Sequence, residues 1–264
     1  MTTLIMGRTG AGKDALRKIL EKDFGWKFLQ SYTTRPQRSE EDASSHIFVT
    51  PSQARAIGDR AAYTEINGYE YFSTFAQLDE SDGYIIDPDG VRVLLANCPD
   101  RYFRILYMFP GSEETRRNLS IQRADDPENE ARVFGARAKS ESAQFDDFEK
   151  KLQSGERAFD GANYAVGQFV NTYEEKDLRA LAEDLDGKRR FAANAAKALM
   201  DLMEADVMKH TDDMQPLMAD SAGTTEPVPV DILCGYLALR EELLGGMMRD
   251  WLSLPGTNLT GGRT

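Results

Sequence analysis

Cysteine is scarce in this sequence. Cys98 and Cys234 are the only two, far apart and in no Cys-x-x-Cys or Cys/His arrangement. They supply neither a disulfide framework nor a zinc site, and free thiols point to a reducing, cytoplasmic setting. Long apolar runs are missing as well. None approaches the roughly 18 residues that a membrane span needs, so no membrane partner is expected. The opening Met-Thr-Thr-Leu-Ile-Met-Gly lacks the basic and apolar regions of a secretory leader. Positive charge is in deficit: 32 Lys and Arg face 44 Asp and Glu, a formal net charge of −12. Nonspecific nucleic-acid binding draws its affinity from neutralised phosphates, so nucleic acid is not an expected partner. Small phosphorylated molecules stay within reach, because a few clustered cations can oppose the global charge locally.

What is present is an ordinary globular composition, 41% apolar and 29% charged over 264 residues. That length suits one or two domains. Thr3 to Met6 is a short apolar run entering a glycine-rich loop, and residues 13–24 then place Leu16, Ile19 and Leu20 at helical spacing. Trp26 to Leu29 and Ile47-Phe48-Val49 read as strands. Pro51 suits the first turn of a helix, and Asn67-Gly68 is a hairpin signal between aromatic runs. Tyr84 to Asp87, Phe103 to Met108 and Tyr164 to Asn171 read as further strands, with a helix over Val91 to Asn97. Residues 112–153 are charged and helical in pattern, broken at Asp125-Asp126-Pro127. A helix over 173–186 is expected to stop at Gly187. Strands alternating with helices predict an α/β fold of three layers, a mostly parallel sheet flanked by helices.

The composition changes after Gly187. Residues 188–264 hold seven of the ten methionines and no strand pattern. Two apolar helical faces, around Leu199 and around Tyr236, predict a helical C-terminal extension of unassigned role. Those faces suit packing against the core or a homo-oligomer contact. The expected division is therefore 1–187 and 188–264.

The strongest chemical signal is Gly7-Arg8-Thr9-Gly10-Ala11-Gly12-Lys13-Asp14. It fits the phosphate-binding pattern G-x-x-x-x-G-K and departs from it only at Asp14, where a hydroxyl is usual. Glycines let backbone N–H groups converge on phosphate oxygens, and the helix N-terminus adds favourable dipole charge. Lys13 is placed to reach the β- and γ-phosphates of ATP. Asp14 takes the position of the residue that meets Mg²⁺, directly or through water.

Ser31-Tyr32-Thr33-Thr34-Arg35-Pro36-Gln37-Arg38 follows, with two arginines three apart that suit forked hydrogen bonds to a phosphate. In that combination the chain resembles the guanylate kinase family of P-loop nucleoside monophosphate kinases, over roughly residues 1–187. His46-Ile47-Phe48-Val49, Asn67-Gly68-Tyr69-Glu70-Tyr71, Ile85-Ile86-Asp87-Pro88-Asp89, Arg123, Arg132 and Phe169-Val170-Asn171 carry the resemblance onward.

The resemblance implies ATP- and Mg²⁺-dependent phosphoryl transfer to a nucleoside monophosphate. It implies that Arg35, Arg38 and Tyr71 hold the acceptor phosphate and that Ser31 and Asp89 contact its base. Asp87 then lies near the metal, Asn171 beside the adenine, and Arg123 and Arg132 on a mobile lid over about 113–140 that neutralises the transferring group. The acceptor-binding segment would span about 32–75.

Three departures matter. Ala62 stands where the family has its base-reading glutamate, which removes an acceptor for guanine donors and leaves GMP, dGMP and other monophosphates open. His46 stands where the family has a phosphate-binding tyrosine. Asp14 replaces the hydroxyl, as in a phage-type deoxynucleoside monophosphate kinase. Asp14 with His46 also resembles the ribose 1,5-bisphosphate phosphokinases, so a sugar-phosphate kinase is one alternative. A catalytically inactive guanylate-kinase-like binding module is the other.

Overall fold

The computed structural model describes residues 2–37, 46–66, 68–122, 128, 134, 144–161, 163–194 and 197. Arg38, Asn67, Arg123, Arg132, most of the expected lid and nearly all of 188–264 lie outside the described residues. The fold below belongs to a unit whose first run ends at Glu183; from Asp184 the chain enters a second unit.

Strand β1 (Thr3–Met6) is buried at all four positions and enters the glycine loop directly. Helix α1 (Lys13–Phe24) follows, with Gly12 at its N-cap and Gly25 closing it in the left-handed region. Leu16 and Leu20 are fully buried, each contributing about 1.5–3 kcal/mol on the usual scale for apolar side chains. β1 lies in a parallel sheet between β6 (Gly83–Ile85) and β7 (Phe103–Pro110), with β8 (Tyr164–Asn171) outside β7. Met6 pairs with Tyr107, and Pro110 with Asn171. Three of the four strands thus run their C-terminal ends out beside the glycine loop.

Helices cover this sheet. α4 (Pro88–Asn97) starts earlier than its apolar spacing suggests, because Asp87 caps it by accepting from Asp89 N and Gly90 N, both at 2.9 Å. The remaining helices are α5 (Glu113–Gln122), α6 (residues 144–154) and α7 (residues 175–194), the last running from the first unit into the second. Leu94, Tyr107 and Phe148 bring α4, β7 and α6 into one buried cluster.

A second sheet, ordered β3-β2-β5-β4, is built from β2 (Ser31–Thr33), β3 (His46–Phe48), β4 (Arg60–Ile66) and β5 (Tyr69–Thr74). β2 and β3 are parallel, and the other pairs are antiparallel. Two short helices flank its strands. α2 (Pro51–Ala56) and α3 (Phe75–Asp79) each begin with a capping box, Thr50 with Gln53 and Thr74 with Gln77.

Two local expectations are corrected. Trp26 to Leu29 forms no strand, only a single bridge from Phe28 to Gly83. Gly83 is what lets the chain pass there: a Cβ at that position would meet the Phe28 ring at 2.6 Å. The helix expected to stop at Gly187 continues to 194. Ion pairs from Asp184 to Lys188 (3.1 Å) and from Asp186 to Arg189 (2.8 Å) and Arg190 (2.9 Å) bridge the turn that contains the glycine.

Candidate active site

The glycine loop is shaped by two close approaches. A Cβ on Gly7 would stand 2.6 Å from the Met108 carbonyl oxygen. Gly12 has φ 96°, and a Cβ there would stand 2.2 Å from Asn171 Nδ2. Three side chains hold the loop from outside. Arg116 Nη1 donates to Thr9 O (3.0 Å), Tyr173 OH to Gly10 O (3.2 Å), and Asn171 Nδ2 to Ala11 O (2.9 Å). A trans peptide sets its C=O and N–H on opposite sides, and the described chain has no cis bond. The N–H groups of Gly10 and Gly12 therefore point to the side opposite the carbonyls that Arg116 and Asn171 hold.

Lys13 is the first residue of α1. Its Nζ curls over the loop and donates to Gly7 O (2.5 Å) and Arg8 O (3.0 Å). Asp14 follows with its side chain 69% exposed, 3.7 Å from Arg17 Nε. Arg8 spends its side chain elsewhere. Its Nε and Nη2 fork onto the two carboxylate oxygens of Glu149 (2.9 and 2.8 Å), and Nη2 also meets Asp146 at 2.5 Å. The guanidinium lies 5.7 Å over the Phe145 ring. Bonding to Glu149 raises the Arg8 pKa further. Tyr107 OH donates to the same carboxylate, and burial with that bond holds the phenol protonated well above its ordinary range.

The second sheet supplies another cluster. Arg35 is buried just past β2, with Nε donating to Tyr71 OH (3.1 Å), Nη1 to Pro36 O (3.0 Å) and its guanidinium 5.5 Å over Phe48. Ser31 and His46 are opposite one another in the β2–β3 register, and Ser31 Oγ and His46 Nδ1 share a hydrogen bond of 2.9 Å. The His46 ring packs edge-on to Tyr71 at 5.6 Å.

Between the two sheets lies a cleft of about 280 Å³. Gly7, Lys13, Ser31, His46, Tyr71 and Asp87 are among the residues that line it. Burial pushes the Asp87 carboxyl above its ordinary range. Ala62, buried, also lines the cleft, with Tyr63, Thr64 and Tyr84. Among the described residues no group of three His, Cys, Asp or Glu side chains is placed to cage a metal.

No family model matches the chain, and no curated protein does. Among solved structures it is similar to the guanylate kinase of Anaplasma phagocytophilum, at 18% identity over 72% of this chain and 85% of that one, with a TM-score of 0.46.

Of the residues singled out from the sequence, Lys13, Ser31, His46, Tyr71 and Asp87 share the cleft, and Arg35 reaches it through Tyr71. Asp89 is not part of the lining; its side chain pairs with Arg92 one turn along α4. Asn171 is fully buried and bonded to the loop backbone, with Oδ1 accepting from Tyr173 N at 2.9 Å. Sequence reasoning missed Arg116, Tyr173 and Glu149. The spacing of Asp146 and Glu149, three apart on one helix, marks a common face, but no local signal points to Arg8 as their partner. No helix among the described residues is long and apolar enough to cross a membrane.

Proposed function

We propose that the chain is an ATP-dependent phosphotransferase acting on a nucleoside monophosphate, guanylate-kinase-like in arrangement. One observation carries this reading: the lysine of a braced phosphate loop and a buried arginine–tyrosine grip serve a single cleft. The loop takes the triphosphate of ATP, and Lys13 exchanges its two carbonyl contacts for phosphate oxygens. Arg35 and Tyr71 hold the phosphate of the acceptor, with His46 beside them. Arg38, Arg123 and Arg132 are the further cations of this reading, on the acceptor side and in the lid.

The acceptor phosphate is already ionised, so the reaction needs little base catalysis. Rate enhancement comes from alignment and from neutralising charge on the transferring group. Mg²⁺ is held in such sites by one or two carboxylates with the substrate phosphates and water. Asp14, exposed beside Lys13, and Asp87, in the lining of the cleft, fit that donor set without a protein cage. When bound, the ion supplies charge neutralisation between the phosphates. Ser31 and Thr64 offer hydroxyls to the acceptor's base or sugar, and the methyl group of Ala62 in place of a carboxylate leaves the acceptor open beyond GMP and dGMP.

The test is an ADP-release assay with ATP and a panel of GMP, dGMP, dTMP, dUMP, AMP, CMP and ribose 1,5-bisphosphate, on the wild type and Lys13→Ala. Turnover with one or more nucleotides, abolished in a folded Lys13→Ala chain, is expected. Turnover of the sugar bisphosphate alone would transfer the reading to a sugar-phosphate kinase. No turnover with any acceptor despite ATP binding would leave a binding module.

A further inference from the structure

Helices α4 and α6 each serve two places. α4 presents Gly90 to the cleft and α6 presents Gln144 and Phe145 to it. Farther along, Arg92 and Leu95 of α4 and Lys151 of α6 line a separate recess of about 680 Å³, closed by the chain that leads into β8. That volume falls within the span of small-molecule sites, which pair an apolar body with a few convergent polar groups.

The recess has this division. Leu95, Ala158 and Phe159, each at most 5% exposed, form its floor. Arg92, Lys151 and Arg157 stand at its rim with one lining acid, Asp160. Three cations around one hollow run against the grain of a chain with net charge −12. Arg92 stacks 5.8 Å over Phe159 and meets Asp147 at 3.5 Å, and Lys151 meets the same carboxylate at 2.9 Å. Arg157 differs. Its guanidinium lies 5.6 Å over the Tyr164 ring, and among the described residues it has no carboxylate partner.

We propose that this recess is a second ligand site, for a small organic anion. Its apolar body rests on Leu95, Ala158 and Phe159, and its phosphate or carboxylate group meets Arg157 and Lys151. The Tyr164 face holds the Arg157 fork in place, so less side-chain freedom is lost when an anion binds. The site is distinct from the phosphotransfer cleft and does not depend on that reading.

Phenyl phosphate, an aryl ring with a dianion, is the probe. Isothermal titration of the full chain is expected to show a site whose affinity is unchanged by Arg35→Ala, which removes the acceptor grip. Arg157→Glu, at an exposed position, should weaken that site roughly tenfold or more, as loss of a charge-assisted fork implies. Lys151→Gln should weaken it in the same direction. Absence of any binding that survives Arg35→Ala overturns the proposal, as does equal affinity in wild type and Arg157→Glu.

Discussion

Asn171, the last residue of β8, donates from its side-chain amide to the carbonyl of Ala11 across 2.9 Å, with no solvent exposure at all. The far edge of the parallel sheet is thereby fastened to the glycine loop. Gly12 leaves the room for it, since a Cβ there would collide with the same amide nitrogen.

Gly12→Ala should therefore fail twice, by forcing φ 96° on an alanine and by displacing Asn171. We expect a stability loss of at least about 1–3 kcal/mol from the strained backbone and the broken buried bond. Urea denaturation measures the first effect. Titration with an unreactive ATP analogue should show weakened binding in whatever folded protein remains.

Arg8 and Glu149 form a two-point fork with both side chains less than one-fifth exposed. Arg8→Ala and Glu149→Gln should each destabilise the chain. The double variant should lose less than the sum, with a coupling of about 0.5–3 kcal/mol from a double-mutant cycle. Strict additivity would show that the fork contributes nothing.

Arg35→Lys removes the planar fork while keeping the charge. The Tyr71 contact through Nε is lost, and the ammonium cannot reproduce two-point phosphate binding. KM for the acceptor should rise by roughly tenfold or more, while the affinity for the ATP analogue stays put. Steady-state kinetics with the acceptor varied at fixed ATP separates the two.

Cys98 is a buried free thiol whose pKa is pushed up chiefly by burial. The native chain keeps its proton in a window where the unfolded chain has lost one. Stability should then fall as pH rises from the ordinary thiol range towards the higher native pKa. Cys98→Ala removes that dependence, so its melting temperature relative to wild type should climb with pH through the same window. In the native state Cys98 should resist alkylation until the chain is unfolded.

Much of the loop chemistry was legible in the linear order. An apolar run, a glycine loop and a helical spacing within the first 24 residues predict β1, the loop and α1, and all three are present. The run from Tyr164 to Asn171 gave the bounds of β8, although it is an edge strand that is only half-buried over most of its length. The separate second sheet was not legible. β2 and β3 pair in parallel across a link that carries no regular pattern, and a three-residue strand has too few positions to show a period. Arg116 and Glu149 were hidden for another reason. Their roles depend on partners about 107 and 141 positions away, which only the folded chain brings within reach. The run of α7 past Gly187 shows ion pairs outweighing a single weak helix former.

The braces on the glycine loop come from α5, from β8 and from Tyr173 just beyond it, and each holds a different loop carbonyl. On the proposed function, a library of random substitutions screened for lost turnover would thus mark three separate stretches of chain. One is the loop itself; the others surround Arg116 and the Asn171–Tyr173 run, where damage would reach the loop through the carbonyls that these side chains hold.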